Sequence, residues 1–327
     1  MRLKTTIAAA ALLAASAGAA RAQQVNETRS TGPTGTVEVH NVAGMVRVVG
    51  WSRNQVQVTG SLGSDAERLE IEDEAGSMIV RVVLPRYSHN SRGANLEVRV
   101  PARKDVEVTA VSAGVTVEGV DGNVEARSVS GGVRISGGRS RLVTGISQSG
   151  SVDVTADAER VEANSTSGSV TVGGTVRDRV EANSVSGGVR ITAAAGEVEA
   201  GSISGSVDVA SMRGRAEVHS VSGGIRVAGR GLSGSFQTVS GSVLLSGDLD
   251  RDADLELSSH SGSVTLQLGP GASADVDAST FSGDIEVDYP GARVERDTRR
   301  SARIRLGSGD ARVKVRTFSG GVKLLRR

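Results

Sequence analysis

The sequence predicts an all-β protein, built as a single-stranded parallel β-helix or β-solenoid with coils of about 18 to 21 residues. Three observations predict this fold. A unit reading V-E-A-N-S-V-S-G-G-V-R-I at residues 180–191 returns in variant form through most of the chain. Apolar and polar residues alternate within the unit, as they do in half-buried strands. Aromatic residues make up only 2% of the chain, which suits a narrow column with little room inside.

The unit recurs with a nearly constant period. If each copy is marked by the Ser that precedes its Gly, successive markers lie 18 to 21 residues apart. A fixed period of this size indicates units that stack on their neighbours. Right-handed crossovers are the rule for parallel strands, but left-handed hexapeptide solenoids also have coils of about 18 residues. Strict six-residue spacing of the apolar positions is absent here, so we predict a right-handed coil. The markers are Ser112, Ser130, Ser149, Ser167, Ser186, Ser204, Ser222, Ser240, Ser261, Ser282, Ser301 and Ser319.

The first residues are typical of an export signal. A basic start is followed by an Ala-rich apolar stretch and by Ala20-Arg21-Ala22, an A-x-A cleavage pattern. We predict a signal peptide over residues 1–22 and an exported protein that is periplasmic, attached to the outer surface or secreted. No transmembrane segment is expected in the mature chain. The chain has no Cys, which excludes disulfides and thiol catalysis.

The rest of the chain divides by the regularity of the repeat. Residues 23–36 are polar and are expected to form a mobile leader. Residues 37–105 are expected to form irregular N-terminal coils and a cap. Residues 106–327 carry the regular repeats, with a degenerate copy near 288–306 that contains S-A-R-I-R-L.

The parity of the apolar residues changes within each unit. Val180, Ala182 and Ser184 share one parity, whereas Val185, Gly187 and Val189 share the other. We interpret this change as a corner between Ser184 and Val185, across which apolar side chains stay inside. The same parity places Gly187 inside, where a Cβ is not tolerated. The equivalent glycines are Gly131, Gly150, Gly168, Gly187, Gly205, Gly223, Gly241, Gly262, Gly283 and Gly320.

Two segments are candidates for specific binding. The polar insertion of residues 86–95 is a candidate binding loop, and the alternative is an ordinary solvated insertion. Its proposed contact residues are Arg86, Tyr87, His89 and Arg92. A basic patch near the C-terminus suits an anionic polymer or lipid headgroups, and the alternative is a solvated face, since Glu295 and Asp297 interleave with it. The patch consists of Arg293, Arg296, Arg299, Arg300, Arg303 and Arg305.

The outward positions of the repeat carry charge but no converging catalytic set. An acidic column five residues before each marker includes Glu162, Glu181, Glu199 and Glu217. We expect Arg side chains and solvent, rather than a dedicated cation site, to relieve its repulsion. The four His residues match no metal-ligand spacing, and the repeated Ser residues are expected to form hydroxyl ladders at corners. We therefore predict no catalytic residue, no cofactor and no metal.

The quoted repeats resemble a known family. The stretches V-E-V-H-N-V-A-G-M-V-R-V-V-G-W at 37–51 and V-E-V-T-A-V-S-A-G-V-T-V-E-G-V-D-G-N-V-E-A-R-S-V-S-G-G-V at 106–133 resemble the bacterial putative-adhesin family of β-strand repeat proteins, a domain of unknown function. The resemblance implies a β-solenoid of the cell envelope or a secreted one. It carries no catalytic residues to transfer.

Three functions fit these features. The leading hypothesis is a non-catalytic adhesin or binding scaffold for envelope glycans or surface proteins, because repetition suits avidity. The alternatives are a polysaccharide-active β-helix enzyme and an accessory protein in envelope-stress signalling.

Without residues 1–22 the chain has 35 basic and 37 acidic residues, since that segment removes three of the 38 basic ones. A formal charge of −2 argues against nucleic acid as a partner, and we expect a monomer.

Overall fold

The structure is a computed structural model that describes residues 23–63, 66–74, 76–85 and 93–327. Every helix or strand in these ranges is a β-strand, so the predicted all-β class is confirmed. The predicted signal peptide and the candidate loop residues Arg86, Tyr87, His89 and Arg92 lie outside the described residues.

The strands follow one another with short connections. In the described part of the chain they are β1 (Gln23–Ser30), β2 (Thr36–Trp51), β3 (Gln55–Leu62), β4 (Arg68–Glu74), β5 (Ser77–Val83), β6 (Ala94–Pro101), β7 (Asp105–Glu118), β8 (Val124–Ser128), β9 (Val133–Ser147), β10 (Val152–Ser165), β11 (Val170–Ser184), β12 (Val189–Ile191), β13 (Glu197–Ser202), β14 (Val207–Ser220), β15 (Ile225–Thr238), β16 (Val243–Asp248), β17 (Asp254–Ser261), β18 (Val264–Leu268), β19 (Ala274–Ser282), β20 (Ile285–Asp288), β21 (Arg293–Thr298), β22 (Ser301–Leu306), β23 (Ala311–Ser319) and β24 (Val322–Arg326).

Successive repeats stack in parallel, one coil on the next, where a coil is one passage of the chain around the core. β10 pairs in parallel with β9 on one side and with β11 on the other. Equivalent positions are in register, so that Glu181 lies between Glu162 and Glu199. Each residue therefore packs mainly against its counterparts in the coils above and below. The handedness of the coil stays a prediction.

One coil, residues 170–188, shows how the chain encloses the core. Residues 170–172 form one wall with alternate side chains buried. The chain bends at Gly174, which has a φ of 95°, and passes through a short segment in which Val176 is buried. Residues 180–184 then form the second wall, again with alternate side chains inside. The core of the regular coils is thus a column of Val, Ala, Ile and Leu side chains.

Antiparallel strands cover the N-terminal end of the stack. On the side away from β7, β2 pairs in parallel with β5 and β6. β4 then pairs antiparallel with β5, and β3 pairs antiparallel with β6. β1 pairs antiparallel with β3, so the expectation that residues 23–36 form a mobile leader is wrong for Gln23–Ser30. A polar sequence can add a strand here because the free edge of β3 offers unpaired backbone groups.

The C-terminal coil is inserted between two earlier coils. β23 pairs in parallel with both β17 and β19, and β24 pairs in parallel with both β18 and β20. The degenerate copy near 288–306 is not a coil, which corrects the prediction. Its strands β21 and β22 form an antiparallel hairpin, and β22 pairs antiparallel with β19. The hairpin lies beyond β19 at this end of the sheet, where it covers that strand's outer edge.

Candidate functional site

The corner of each coil differs from the predicted one. Ser184 is buried, as expected for the end of the second wall. Val185, however, is 41% exposed, and Ser186 is exposed as well. The chain turns through residues 185–188 before Val189 returns to the core. The prediction that apolar side chains stay inside across the bend is therefore wrong, because Val185 faces solvent at the corner.

Buried hydroxyl groups tie each corner to the coil before it. Ser184 Oγ donates to Gly168 O at 2.9 Å and accepts from Gly187 N at 2.9 Å. The predicted hydroxyl ladder exists, but it is formed two residues earlier than the marker Ser, because that residue points inward beside the turn. Its members with such bonds are Ser128, Ser147, Ser165, Ser184, Ser202, Ser220, Thr238, Ser259, Thr280 and Thr317.

The corner glycines stack directly on one another. A Cβ added at Gly187 would lie 2.2 Å from Gly168 O, and each equivalent glycine meets a backbone carbonyl at a similar distance. Gly187 itself is only half-buried, so its predicted inward position is wrong. A side chain is excluded here because the Cβ would point along the stack into the neighbouring coil's backbone.

Exposed corner residues form a ladder of mostly apolar side chains in seven consecutive coils, which we call the apolar ladder. A backbone bond from Ser204 N to Val185 O at 3.0 Å, and one from Ser222 N to Ile203 O at 2.8 Å, show how the corners stack. Six spacings of about 4.8 Å give this ladder a length of about 29 Å. Its members are Val185, Ile203, Val221, Val239, His260, Phe318 and Phe281.

A polar column runs beside the apolar ladder and completes what we call the corner groove. The column contains the last outward-facing residue of the second wall in each coil, namely Asn164, Asn183, Gly201, His219, Gln237 and Ser258. The buried hydroxyl ladder lies between the two columns and forms the floor. Two cavities of about 550 and 670 Å³ lie along the groove, and neither is lined by a carboxylate.

Three aromatic rings close the C-terminal part of the groove. Phe318 stacks on His260 with ring centroids 4.8 Å apart, and on Phe281 with centroids 4.7 Å apart. Phe281 is 61% exposed. The inserted coil brings Phe318 between His260 and Phe281, from which it is distant in sequence, and so completes this aromatic cluster. The only sequence signal was the pair of T-F-S-G segments at 280–283 and 317–320.

The charged columns behave largely as predicted. The acidic column is in register, and Arg179 pairs with Glu197 at 3.2 Å and also with Glu199. The two carboxylates, Glu197 first, raise the pKa of Arg179. Arg215 pairs with Glu217 at 3.0 Å. Arginine thus relieves part of the repulsion between stacked acids, as expected.

The candidate basic patch lies on the hairpin of β21 and β22, where all six arginines are exposed. Arg305 binds Asp275 at 2.7 Å, and this hydrogen bond holds the pKa of Asp275 below its usual range. Arg303 binds Asp277 at 3.2 Å, and Arg296 donates to Ile285 O at 3.1 Å. Three of the six arginines therefore bind the hairpin to neighbouring strands of the stack.

Other classes of site find no support in the described ranges. Among these residues no group of three or more His, Asp or Glu side chains is placed to hold a metal ion. Nor does the described part of the chain contain a helix of the length and apolar character needed to span a membrane. The corner groove, with its two cavities and its aromatic rings, is therefore the candidate functional site.

Comparisons with known proteins identify relatives by sequence and by structure. The model of the Toastrack DUF4097 family matches residues 34–271 and 252–325. A structure from Bacteroides fragilis NCTC 9343, described as a putative adhesin, is 10% identical, with 93% of this chain and 97% of that chain covered and a TM-score of 0.37. Another from Clostridium sporogenes ATCC 15579, described as a putative cell adhesion protein, is 10% identical, with 93% and 100% covered and a TM-score of 0.20. No curated protein matches the chain.

Proposed function

The chain belongs to the Toastrack DUF4097 family, and from that premise we propose that it is a non-catalytic binding scaffold of the cell envelope or the secreted fraction. In this proposal the chain is an adhesin-like β-solenoid whose ligand lies along the corner groove. Its partner is an envelope glycan or a surface protein. Export depends on the signal-like residues 1–22 and is part of the proposal.

The observation that carries the proposal is the apolar ladder. Six of its seven members are aliphatic or phenyl side chains that are 41 to 61% exposed, and the imidazole of His260 lies between the four aliphatic members and the two phenyl rings. A surface about 29 Å long on which six of seven side chains are apolar is unusual for a surface exposed only to water, and such surfaces mark interaction sites. The ladder therefore favours a function that covers it with a ligand.

The energetics favour an extended ligand over a small one. Covering one half-exposed Val recovers on the order of 1 kcal/mol, which is small beside the cost of association. Several equivalent contacts along the groove add up, and linked contacts of this kind produce avidity. The groove thus suits a polymer or another surface.

The lining of the groove favours binding over hydrolysis. Glycoside hydrolysis ordinarily needs two carboxyl groups on opposite sides of the scissile bond. The residues that line the two groove cavities are hydroxyl, amide, imidazole, aliphatic and phenyl side chains, with Arg316 at one end. A polysaccharide bound there would meet no acid and base pair.

The test is retention of the purified mature protein on cell-envelope fractions and on a glycan array. Ile203→Asp and Val239→Asp place a charge in the ladder, and we expect each to weaken retention at least fivefold. Met45→Asp is the matched control, because Met45 is 55% exposed but lies outside the groove. Circular dichroism verifies that all variants are folded. Unchanged retention of both groove variants would overturn the proposal, and saturable cleavage of a bound polysaccharide would favour the enzyme instead.

A further inference from the structure

Building on the proposed function, we infer that the ligand is an uncharged glycan chain, and that a notch in the corner groove at Gly201 holds one of its pyranose rings. The notch is the gap that Gly201 leaves in the polar column between Asn183 and His219. These three residues occupy the same position in adjacent coils. Two coil spacings separate the flanking residues, which gives a gap of about 9.6 Å along the groove.

The amide of Asn183 is oriented toward the notch. Its Nδ2 donates to Asn164 Oδ1 at 3.2 Å and approaches Glu181 Oε1 at 3.4 Å. A Cβ built on Gly201 would lie 2.9 Å from Asn183 Oδ1, so this oxygen borders the empty position directly. The imidazole of His219 borders the other side and is exposed. The notch therefore offers an acceptor oxygen and a ring nitrogen to the hydroxyl groups of a ligand.

The rest of the notch is apolar and needs no hydrogen bonds from a ligand. Val185, Ile203 and Val221 form the side opposite the polar column. Ser202 lies on the floor, but its Oγ already donates to Gly187 O at 3.0 Å and accepts from Gly205 N at 2.9 Å. A pyranose ring has the matching chemistry, because C–H groups cover its faces and hydroxyl groups surround its rim. The cavity of about 550 Å³ is large enough for a short run of such rings.

The surrounding charges favour an uncharged polymer. None of the residues that line this cavity carries a carboxylate or a guanidinium group. Glu181, Glu199 and Glu217 lie two residues away on the same strands, where they would repel an anionic polymer. A neutral glycan avoids this repulsion and still finds hydrogen-bond partners.

An extended peptide fits the groove less well. Peptides that bind sheets usually add a strand to a free edge, where backbone groups are unpaired. In the corner groove the backbone groups are paired between coils, as in the bonds from Val221 N to Ser202 O at 3.2 Å and from Ser240 N to Val221 O at 2.8 Å. Side chains alone are left to recognise the ligand, and those of the notch suit hydroxyl groups.

The test measures binding of the full mature chain to neutral glycans, anionic glycans and extended peptides immobilised on one array. Gly201→Asn fills the notch with an asparagine, the residue type already found in this column at Asn164 and Asn183. We expect it to weaken binding of neutral glycans at least tenfold. Gly114→Asn is the matched control, because a Cβ at Gly114 meets nothing within 4 Å and the residue lies outside the groove. If Gly201→Asn proves unstable, His219→Ala removes one side of the notch and is expected to weaken binding several-fold.

The outcomes separate this inference from the proposed function. Neutral glycans that bind Gly201→Asn and His219→Ala as tightly as the unmodified chain would overturn the notch, while the scaffold function stands. Binding of peptides or anionic glycans in place of neutral ones would overturn the ligand class only. Envelope retention that both Ile203→Asp and Val239→Asp leave unchanged would instead overturn the scaffold itself.

Discussion

Adding one methyl group to Gly187 tests how closely the coils approach one another at the corner. The new Cβ would lie 2.2 Å from Gly168 O, whereas Cβ atoms are essentially never found within 3.0 Å of another heavy atom. The two backbones must therefore separate by about 0.8 Å. Neither atom belongs to a flexible side chain, so a rotamer change cannot supply this movement.

The separation breaks hydrogen bonds between the two coils. The bond from Ser184 Oγ to Gly168 O is 2.9 Å long, and the bond from Ser186 N to Thr166 O is 3.0 Å long. A further 0.8 Å takes both beyond about 3.5 Å, where a hydrogen bond contributes little. At about 1 kcal/mol each, their loss makes Gly187→Ala less stable by about 2 kcal/mol, within the range that overpacking usually costs.

Urea unfolding followed by circular dichroism measures this effect as a shift in midpoint at constant m-value. Gly188→Ala is the adjacent control, because its Cβ would lie 3.4 Å from Ser206 O, an ordinary contact. We expect the control to remain within about 0.5 kcal/mol of the unmodified chain. The reasoning is refuted if the two variants are equally stable, or if Gly187→Ala loses less than about 0.5 kcal/mol.

Three other changes test separate parts of the stack. Ser184→Ala removes a hydroxyl that bridges two backbone groups, and we expect a loss of about 1 to 2 kcal/mol in urea unfolding, against less than about 0.5 kcal/mol for the exposed Ser186→Ala; equal losses would contradict the buried ladder. Burial lowers the pKa of Lys104, so the unfolded chain binds more protons at alkaline pH and stability should rise as pH approaches about 10.4. Lys104→Met should lack this rise, and profiles of stability against pH that run parallel in the two proteins would contradict the prediction. Lys314→Glu places an acid between two acidic coils and should cost about 1 kcal/mol at low salt and less at high salt; a cost independent of salt would exclude this explanation.

The regular coils could be predicted from the sequence because one interaction repeats. Each residue packs on its counterpart in the next coil, so similar residues recur at a fixed period. The period predicted the register that places Glu162 beside Glu181 and Val161 beside Val180. The same register places Arg190 and Arg226 on either side of Asp208 on the outer surface, where both guanidinium groups lie within 3.6 Å of the carboxylate.

The corner groove could not be predicted from parity. Alternation reports which side chains point inward only while the backbone stays extended, and residues 185–188 form a turn. Val185 was therefore assigned to the core although it faces solvent. One signal was present in the sequence, since the inward position of Ser184 holds Ser or Thr in coil after coil. A hydroxyl group at a core position indicates that backbone groups need a partner there, and a turn is where that need arises.

The inserted coil was missed because a repeat period implies that neighbours in sequence are neighbours in space. The charges of the last coils contradict that assumption. If the coil that contains Asp277 stacked directly on the coil that contains Glu256, the acidic column would bring these two carboxylates together. The structure places Lys314 between them instead. In the same way Lys323 lies beside Glu286, with Nζ 2.8 Å from the carboxylate. The basic final coil thus has a position that its own charge pattern favours, and its insertion is also what brings Phe318 between His260 and Phe281 to complete the aromatic end of the groove.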